Sequence, residues 1–232
     1  MKIHKSEDRG HVEHGWLNAK HSFSFGEYYN RHAMNFGSLR VLNEDIIAPG
    51  QGFGLHSHQN AEIITWVLSG GIRHKDNLGS ERIIHHGDVQ FMSAGRGVSH
   101  SEHNASNSQS VHLYQIWILP HTKGLKPRYE QKSFAPEKRK NTWQLIASPQ
   151  VEQGSFQISQ DAKFLVAEPE LGGELRYDLF DGRQAWIQVA TGTVEINGQN
   201  LNSGDAASFV DSANLEIKAL SDSELLLFDL GK

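Results

Sequence analysis

The sequence predicts an all-β protein built from two tandem domains. Three observations point that way. Short runs of β-branched and aromatic residues are separated by Gly, Pro, Asn and Asp turns every ten or so residues, the rhythm of a sandwich or barrel. That rhythm occurs twice, on either side of a basic stretch containing Pro127 and Pro136. Segments of the second half also echo segments of the first, the mark of an internal duplication. The chain has 232 residues, enough for two β domains of roughly a hundred residues each.

Taken in order, residues 1–40 are polar and aromatic, with Ser22 to Phe25 alternating as a short strand. His11, His14 and His21 match no ligand spacing and read as hydrogen-bonding or rim residues. Leu39 to Leu42 and Asp45 to Ala48 read as strands split by Asn43-Glu44 and ended by Pro49-Gly50. Gln51 to Leu55 carries glycines that permit close backbone approach. Ala61 to Leu68 is a strand ending at the Ser69-Gly70-Gly71 turn. Further strands are expected at Ile72 to His74, Glu81 to Ile84, Val89 to Met92, Val98 to Glu102 and Val111 to Leu119. Residues 121–142 hold seven Lys+Arg; they read as a solvated linker lying against an acidic second half rather than as a nucleic-acid patch. Beyond them, Ala185 to Val194 resembles Thr65 to Ile72, and Ser203 to Ala207 echoes His86 to Gln90. Glu224 to Leu230 echoes the apolar strand before Pro120, and Asn197-Gly198 signals a hairpin. The expected domains are residues 1–132 and 145–232, joined by a linker at 133–144.

Composition narrows the chemistry. Hydrophobic residues are 38% and charged residues 21%, so the chain can bury a core. It has no cysteine, which excludes disulfides, cysteine zinc sites, iron–sulfur clusters and cysteine nucleophiles. Met1 to Lys5 leads into charged sequence with no apolar segment of a signal peptide. No run approaches the ~20 apolar residues of a membrane helix. A cytoplasmic protein without membrane contact is expected, and a net charge of −5 gives no reason to expect nucleic acid. Histidine is the outlier: all 14 lie at or before His121. Residues 143–232 carry 5 Lys+Arg against 14 Asp+Glu, and the remainder 17 against 13. The halves share a strand style but not a chemistry.

The chemistry concentrates between His56 and Glu102. His56-Ser57-His58 and His100-Ser101-Glu102 are i, i+2 pairs, each aimed at one side of its strand. If the strands meet, three imidazoles and a carboxylate converge, a donor set for a divalent metal. Glu62 has the same inward parity as Glu102, so alternation does not choose between them. Burying such groups without a metal is costly. His112 can donate to a ligand or make a core hydrogen bond. His74, His103, His85 and His86 read as rim or solvent-facing residues. Trp117, Phe53 and Phe91 read as core side chains able to stack on an aromatic substrate.

The spacing Gly50-x5-His56-x-His58-x3-Glu62-x7-Gly70 is similar to the first motif of the cupin superfamily. Gly87-x5-Ser93-x-Gly95 followed by His100-x3-Asn104 resembles the second, with Ser93 for the usual proline and the histidine two residues late. The finer resemblance is to the pirin family, especially bacterial pirin-like quercetin 2,3-dioxygenases. It is carried by His14 to Leu17, His21 to Phe25, Gly52 to His58, Met92 to Gly95, His100 to Glu102 and Leu113 to Trp117, spanning most of residues 9–131. It implies two tandem cupin (jelly-roll β-barrel) domains, the second metal-free. It implies one metal held by His56, His58, His100 and Glu102, with Glu102 also the catalytic base and Glu62 left as a neighbour or cavity wall. Four protein ligands leave positions open for chemistry, and the donor set suits Fe(II) first, with Zn, Ni, Co, Cu and Mn also accommodated. The implied reaction opens the flavonol heterocycle of quercetin with O2, releasing carbon monoxide and a depside. The resemblance also admits a non-enzymatic, redox-sensitive regulatory protein with a protein partner.

Overall fold

The computed structural model describes residues 1–211 and 213–232. Apart from two single-turn 3-10 helices at Ser6–Asp8 and Pro136–Lys138, its regular elements are strands. In order these are β1 (Lys2–His4), β2 (Gly10–Glu13), β3 (Leu17–His21), β4 (Leu39–Ile47), β5 (Gly52–His58), β6 (Glu62–Ser69), β7 (Gly71–Asp76), β8 (Glu81–His85), β9 (Asp88–Ser93), β10 (Val98–Asn104), β11 (Val111–Ile118) and β12 (Arg128–Ser133). They continue with β13 (Gln144–Ser148), β14 (Phe156–Gln157), β15 (Ala162–Ala167), β16 (Glu174–Leu179), β17 (Arg183–Thr191), β18 (Thr193–Ile196), β19 (Gln199–Asn202), β20 (Ala206–Val210), β21 (Ala213–Ala219) and β22 (Glu224–Gly231). No helix among the described residues is long and apolar enough to cross a membrane.

The strands form two compact units, Arg9–Phe134 and Met1–Asp8 with Ala135–Lys232. In the first, a seven-stranded sheet in the order β12-β9-β6-β11-β4-β3-β2 faces a four-stranded sheet in the order β5-β10-β7-β8. Leu17, Ile47, Val67 and Leu113 of the larger sheet pack with Ile72 and Ile84 of the smaller one. Burial alternates along the strands as the pleat requires: in β10, Val98, His100, Glu102 and Asn104 point inward. The sequence reading splits β4 at Asn43-Glu44, but the strand is continuous. Asn43 and Glu44 sit in the ladder opposite Gln115 and Tyr114. Their side chains find polar surroundings there, Glu44 accepting from His112, Tyr114 and Arg9, so neither residue breaks the strand.

The second unit repeats this plan. Its sheets run β1-β20-β17-β22-β15-β13-β14 and β16-β21-β18-β19. The edge place that β12 holds beside β9 is taken by β1 beside β20, with Lys2 opposite Ser208. The first eight residues therefore belong to the second unit, where the sequence reading assigns them to the first. Gly70 and Gly192 mark equivalent turns after β6 and β17, with φ of 80° and 83°, a region that favours glycine. A Cβ on Gly70 would also stand 2.9 Å from the Ser110 carbonyl oxygen. The expected linker at 133–144 is anchored structure. Arg139 is fully buried and donates from Nε to Glu168 at 2.5 Å, and Lys140 pairs with Glu170 at 2.7 Å. Arg139 and Lys140 thus meet acidic residues of the second half, Arg139 out of solvent, whereas Arg128 and Lys132 pair with Glu130 within the stretch itself.

Candidate metal centre

β5 and β10 lie antiparallel with His100 opposite His56 and Val98 opposite His58. Between His100 and Glu102 the register slips, so that Glu102 faces Phe53. Such a bulge re-aims side chains at the edge of a site. Gly52 makes the close approach possible, since a Cβ there would run into the Glu102 carbonyl and His103. The result is a tight cluster. The rings of His56, His58 and His100 have centroid separations of 4.5 to 4.9 Å. One ring nitrogen from each lies within 4.8 Å of the others. His74, His100 and Glu102 form a second such group that shares His100.

Hydrogen bonds decide which atoms face inward. His56 Nδ1 donates to the Gly54 carbonyl at 2.7 Å, which leaves Nε2 as the free lone pair. The His58 ring sits edge-on to Trp117, with centroids 4.6 Å apart. His100 Nε2 is buried with no protein partner. A lone buried imidazole nitrogen is costly, and beside two further imidazoles it is what a metal site leaves before its ion is added. Burial is the main reason the pKa of His58 is lowered to about 4 and that of His100 to about 3, with the neighbouring imidazoles adding to it. Both are neutral at pH 7 and carry the lone pairs that ligation requires.

Glu102 is held on both sides. Gln90 Nε2 donates to Oε1 at 2.9 Å and Gln115 Nε2 to Oε2 at 2.8 Å. Each carboxylate oxygen retains lone-pair capacity. Thr65 Oγ1 stands 3.2 Å from both amides, donating to Gln115 and accepting from Gln90. Above these groups opens a cavity of 180 Å³ lined by His56, His58, His100, Glu102, Asn43, Asp45 and Gln115 together with Phe25, Phe53, Ile63 and Trp117. Burial, with the Glu102 charge adding, raises the Asp45 carboxyl to about 7. The cavity therefore joins a ligand cluster, a carboxyl poised near neutrality and an apolar aromatic wall, a combination typical of binding sites.

All four residues singled out for the metal line this cavity, with His56 and His58 grouped on His100 and Glu102 grouped with His74 and His100. Glu62 is fully buried on β6 but belongs to neither ligand group and does not line the cavity. The placement of His74 at the rim is wrong. Its side chain is completely buried against His100. His112 bonds Glu44, away from the cluster. His103 is half-buried, and His85 and His86 are exposed. Sequence reasoning also missed Asn43, Asp45, Gln90 and Asp76. The signal was present as parity. Val41, Asn43, Asp45 and Ile47 alternate inward along β4, as do Ile72, His74 and Asp76 along β7 between the exposed Arg73 and Lys75.

Two β-barrel units of one topology, one of them carrying an inward histidine and carboxylate cluster, define a two-domain cupin. Residues 2–118 match the pirin family, and residues 145–230 match the quercetinase C-terminal cupin domain. The chain is 42% identical over 228 residues to the quercetin 2,3-dioxygenase of Escherichia coli K12, covering 98% of this chain and 97% of that protein. It is 42% identical over 221 residues to a pirin-like protein of Caulobacter vibrioides, covering 95% of each. The crystal structure of the bacterial pirin YhhW from Escherichia coli in complex with nickel(II) superposes with a TM-score of 0.94 at 42% identity, over 99% of this chain and 98% of that one. The chain belongs to the pirin family.

Proposed function

We propose that this protein is a metal-dependent dioxygenase that opens flavonols such as quercetin with O2. The observation that carries the reading is the cluster of His56, His58 and His100 with Glu102 lining the same aromatic-walled cavity. Those four are the proposed ligands, offering three neutral nitrogens and one carboxylate oxygen to one divalent ion. Iron(II) is the ion we propose, because such a set with positions left open suits it. The nickel in YhhW and the quercetin 2,3-dioxygenase name of the Escherichia coli relative support the metal and the substrate class.

When bound, the ion lowers the pKa of the flavonol hydroxyl and readies the ring for O2. The chain's own residues do the rest. Glu102 accepts the hydroxyl proton, and Gln90 and Gln115 fix the direction of its lone pairs. Asp45, near neutrality in its pKa, is a second proton holder on the same wall. Phe25, Phe53 and Trp117 receive the flat substrate and keep water from the reacting ring. Aerobic incubation of the iron(II)-loaded protein with quercetin should remove the flavonol absorbance. No loss with iron(II), nickel(II), cobalt(II), copper(II), manganese(II) or zinc(II) contradicts the reading.

A further inference from the structure

His100 is the most constrained of the ring ligands, and the constraint does not come from its own strand. Its Nδ1 stands 3.3 Å from Nδ1 of His74, and His74 Nε2 stands 2.9 Å from Oδ2 of Asp76. Asp76 is fixed in turn. Its Oδ1 accepts from the backbone amides of Leu78 and Ser80, both at 2.9 Å. The His74 ring is also stacked on Tyr129, with centroids 4.6 Å apart and planes 22° apart. The side chains of His74 and Asp76 are both completely out of solvent.

The direction of these bonds follows from their far end. Backbone amides can only donate, so Asp76 must accept at Oδ1. Those two bonds favour the ionised carboxyl, which then has only acceptor capacity at Oδ2. His74 Nε2 must therefore carry a proton. In the neutral ring its Nδ1 is then an acceptor, so His100 Nδ1 is the donor. His100 is left with an unprotonated Nε2, the buried atom that has no protein partner. We propose that Asp76 and His74 form a polarity relay that holds His100 in the single tautomer able to ligate a metal through Nε2. His74 and Asp76 are positioning residues, acting through His100. The inference rests on the metal-site reading for its purpose but not for its geometry. Outer partners of ligating histidines commonly act this way, though usually as one carboxylate or carbonyl rather than two links.

The relay can be reversed with almost no change in shape. In Asp76→Asn the amides of Leu78 and Ser80 still demand an oxygen, so the new NH2 group faces His74. His74 Nε2 must then accept, Nδ1 must donate, and His100 is driven to carry its proton on Nε2. His74→Phe keeps the stacking on Tyr129 but leaves the His100 tautomer free. Nickel(II) affinity, measured by chelator competition on full-length protein of unchanged circular dichroism, should fall by about 10–100-fold in His74→Phe and further in Asp76→Asn. Wild-type affinity in Asp76→Asn overturns the relay, because a residue that only shapes the β7 turn would leave metal binding unmoved. Long-range 1H–15N correlation spectra of the metal-free wild type give a second readout that needs no variant to fold. Protons on His74 Nε2 and His100 Nδ1 are expected, and a proton on His100 Nε2 overturns the relay. If the wild type takes up no nickel, the metal-site reading fails, while the spectra still decide the relay.

Discussion

In the first barrel β10 turns His100 and Glu102 inward; in the second, the register places Leu215 and Ile217 of β21 at the same points. The equivalence follows from the turns at Gly70 and Gly192. Asn104 pairs with Ile72 and Glu102 with His74, while Ala219 pairs with Val194 and Ile217 with Ile196. Across the neighbouring strand, His56 and His58 correspond to Tyr177 and Leu179. On the opposite sheet Thr65, Gln90 and Gln115 become Ile187, Ala207 and Leu227, and Asn43 and Asp45 become Leu165 and Ala167. Nearly every polar residue around the first cavity has an apolar counterpart in the second barrel's packed core. The register shift between β5 and β10 beside Glu102 is likewise missing from the β16–β21 ladder, which runs in continuous register.

The difference separates what the fold needs from what the site needs. Strand order and turn glycines survive in both barrels, so the architecture requires only inward side chains that can be desolvated together. Leu, Ile and Ala do that at no electrostatic cost. Imidazoles and carboxylates do it only by satisfying one another or a bound ion. The first barrel therefore holds an interior that a metal completes, and binding should stabilise it by linkage.

Swapping equivalent positions tests this contrast. The largest effect is expected from His56→Leu, which should abolish metal uptake and flavonol loss, whereas Tyr177→Leu should leave both in place; equal losses would show that the barrels do not differ in function. Ile217→Glu should cost about 3–5 kcal/mol in chemical denaturation, because it buries a carboxylate without the amides that hold Glu102; a cost under about 1 kcal/mol would show that the second barrel tolerates charge. Gln115→Leu, which imitates Leu227, should cost about 1–3 kcal/mol by leaving Glu102 and Thr65 short of a partner, and it should also weaken metal binding.

The smallest effect concerns pH. In the metal-free protein, burial lowers His21 and His58 to about 4 and His100 to about 3 in the first barrel, against only His4 in the second. Between the unfolded value of about 6.5 and these folded values the unfolded chain holds more protons, so stability falls as pH falls through that window. Asp45, raised to about 7, acts oppositely, because there the folded chain holds the extra proton. Three histidines outweigh one carboxyl. The denaturation midpoint should drop from pH 7 to pH 5, with amide exchange rising first in residues 9–134. A midpoint that rises on acidification contradicts the burial of these imidazoles.

Much of this was legible in the sequence. The strand and turn rhythm and the double motif located both barrels, and the echo of His86 to Gln90 in Ser203 to Ala207 aligns Gln90 with Ala207 as the ladders do. Parity exposed His56, His58, His100 and Glu102. It did not separate Glu102 from Glu62, because both face inward on their strands and only the strand pairing puts one of them on the cavity wall beside His100. His74 was misread because a histidine between Arg73 and Lys75 looks solvated until the pleat assigns its face. The role of β1 was invisible for a different reason. Three residues carry no pattern, and their partner strand lies some two hundred residues away.

On the proposed reading, the first barrel alone holds one divalent ion, on His56, His58, His100 and Glu102. Metal analysis of the purified wild type beside His58→Ala tests it most directly. One divalent ion per chain in the wild type and none in the variant is the predicted result. Full occupancy in His58→Ala, or no ion in a metal-reconstituted wild type, would contradict it.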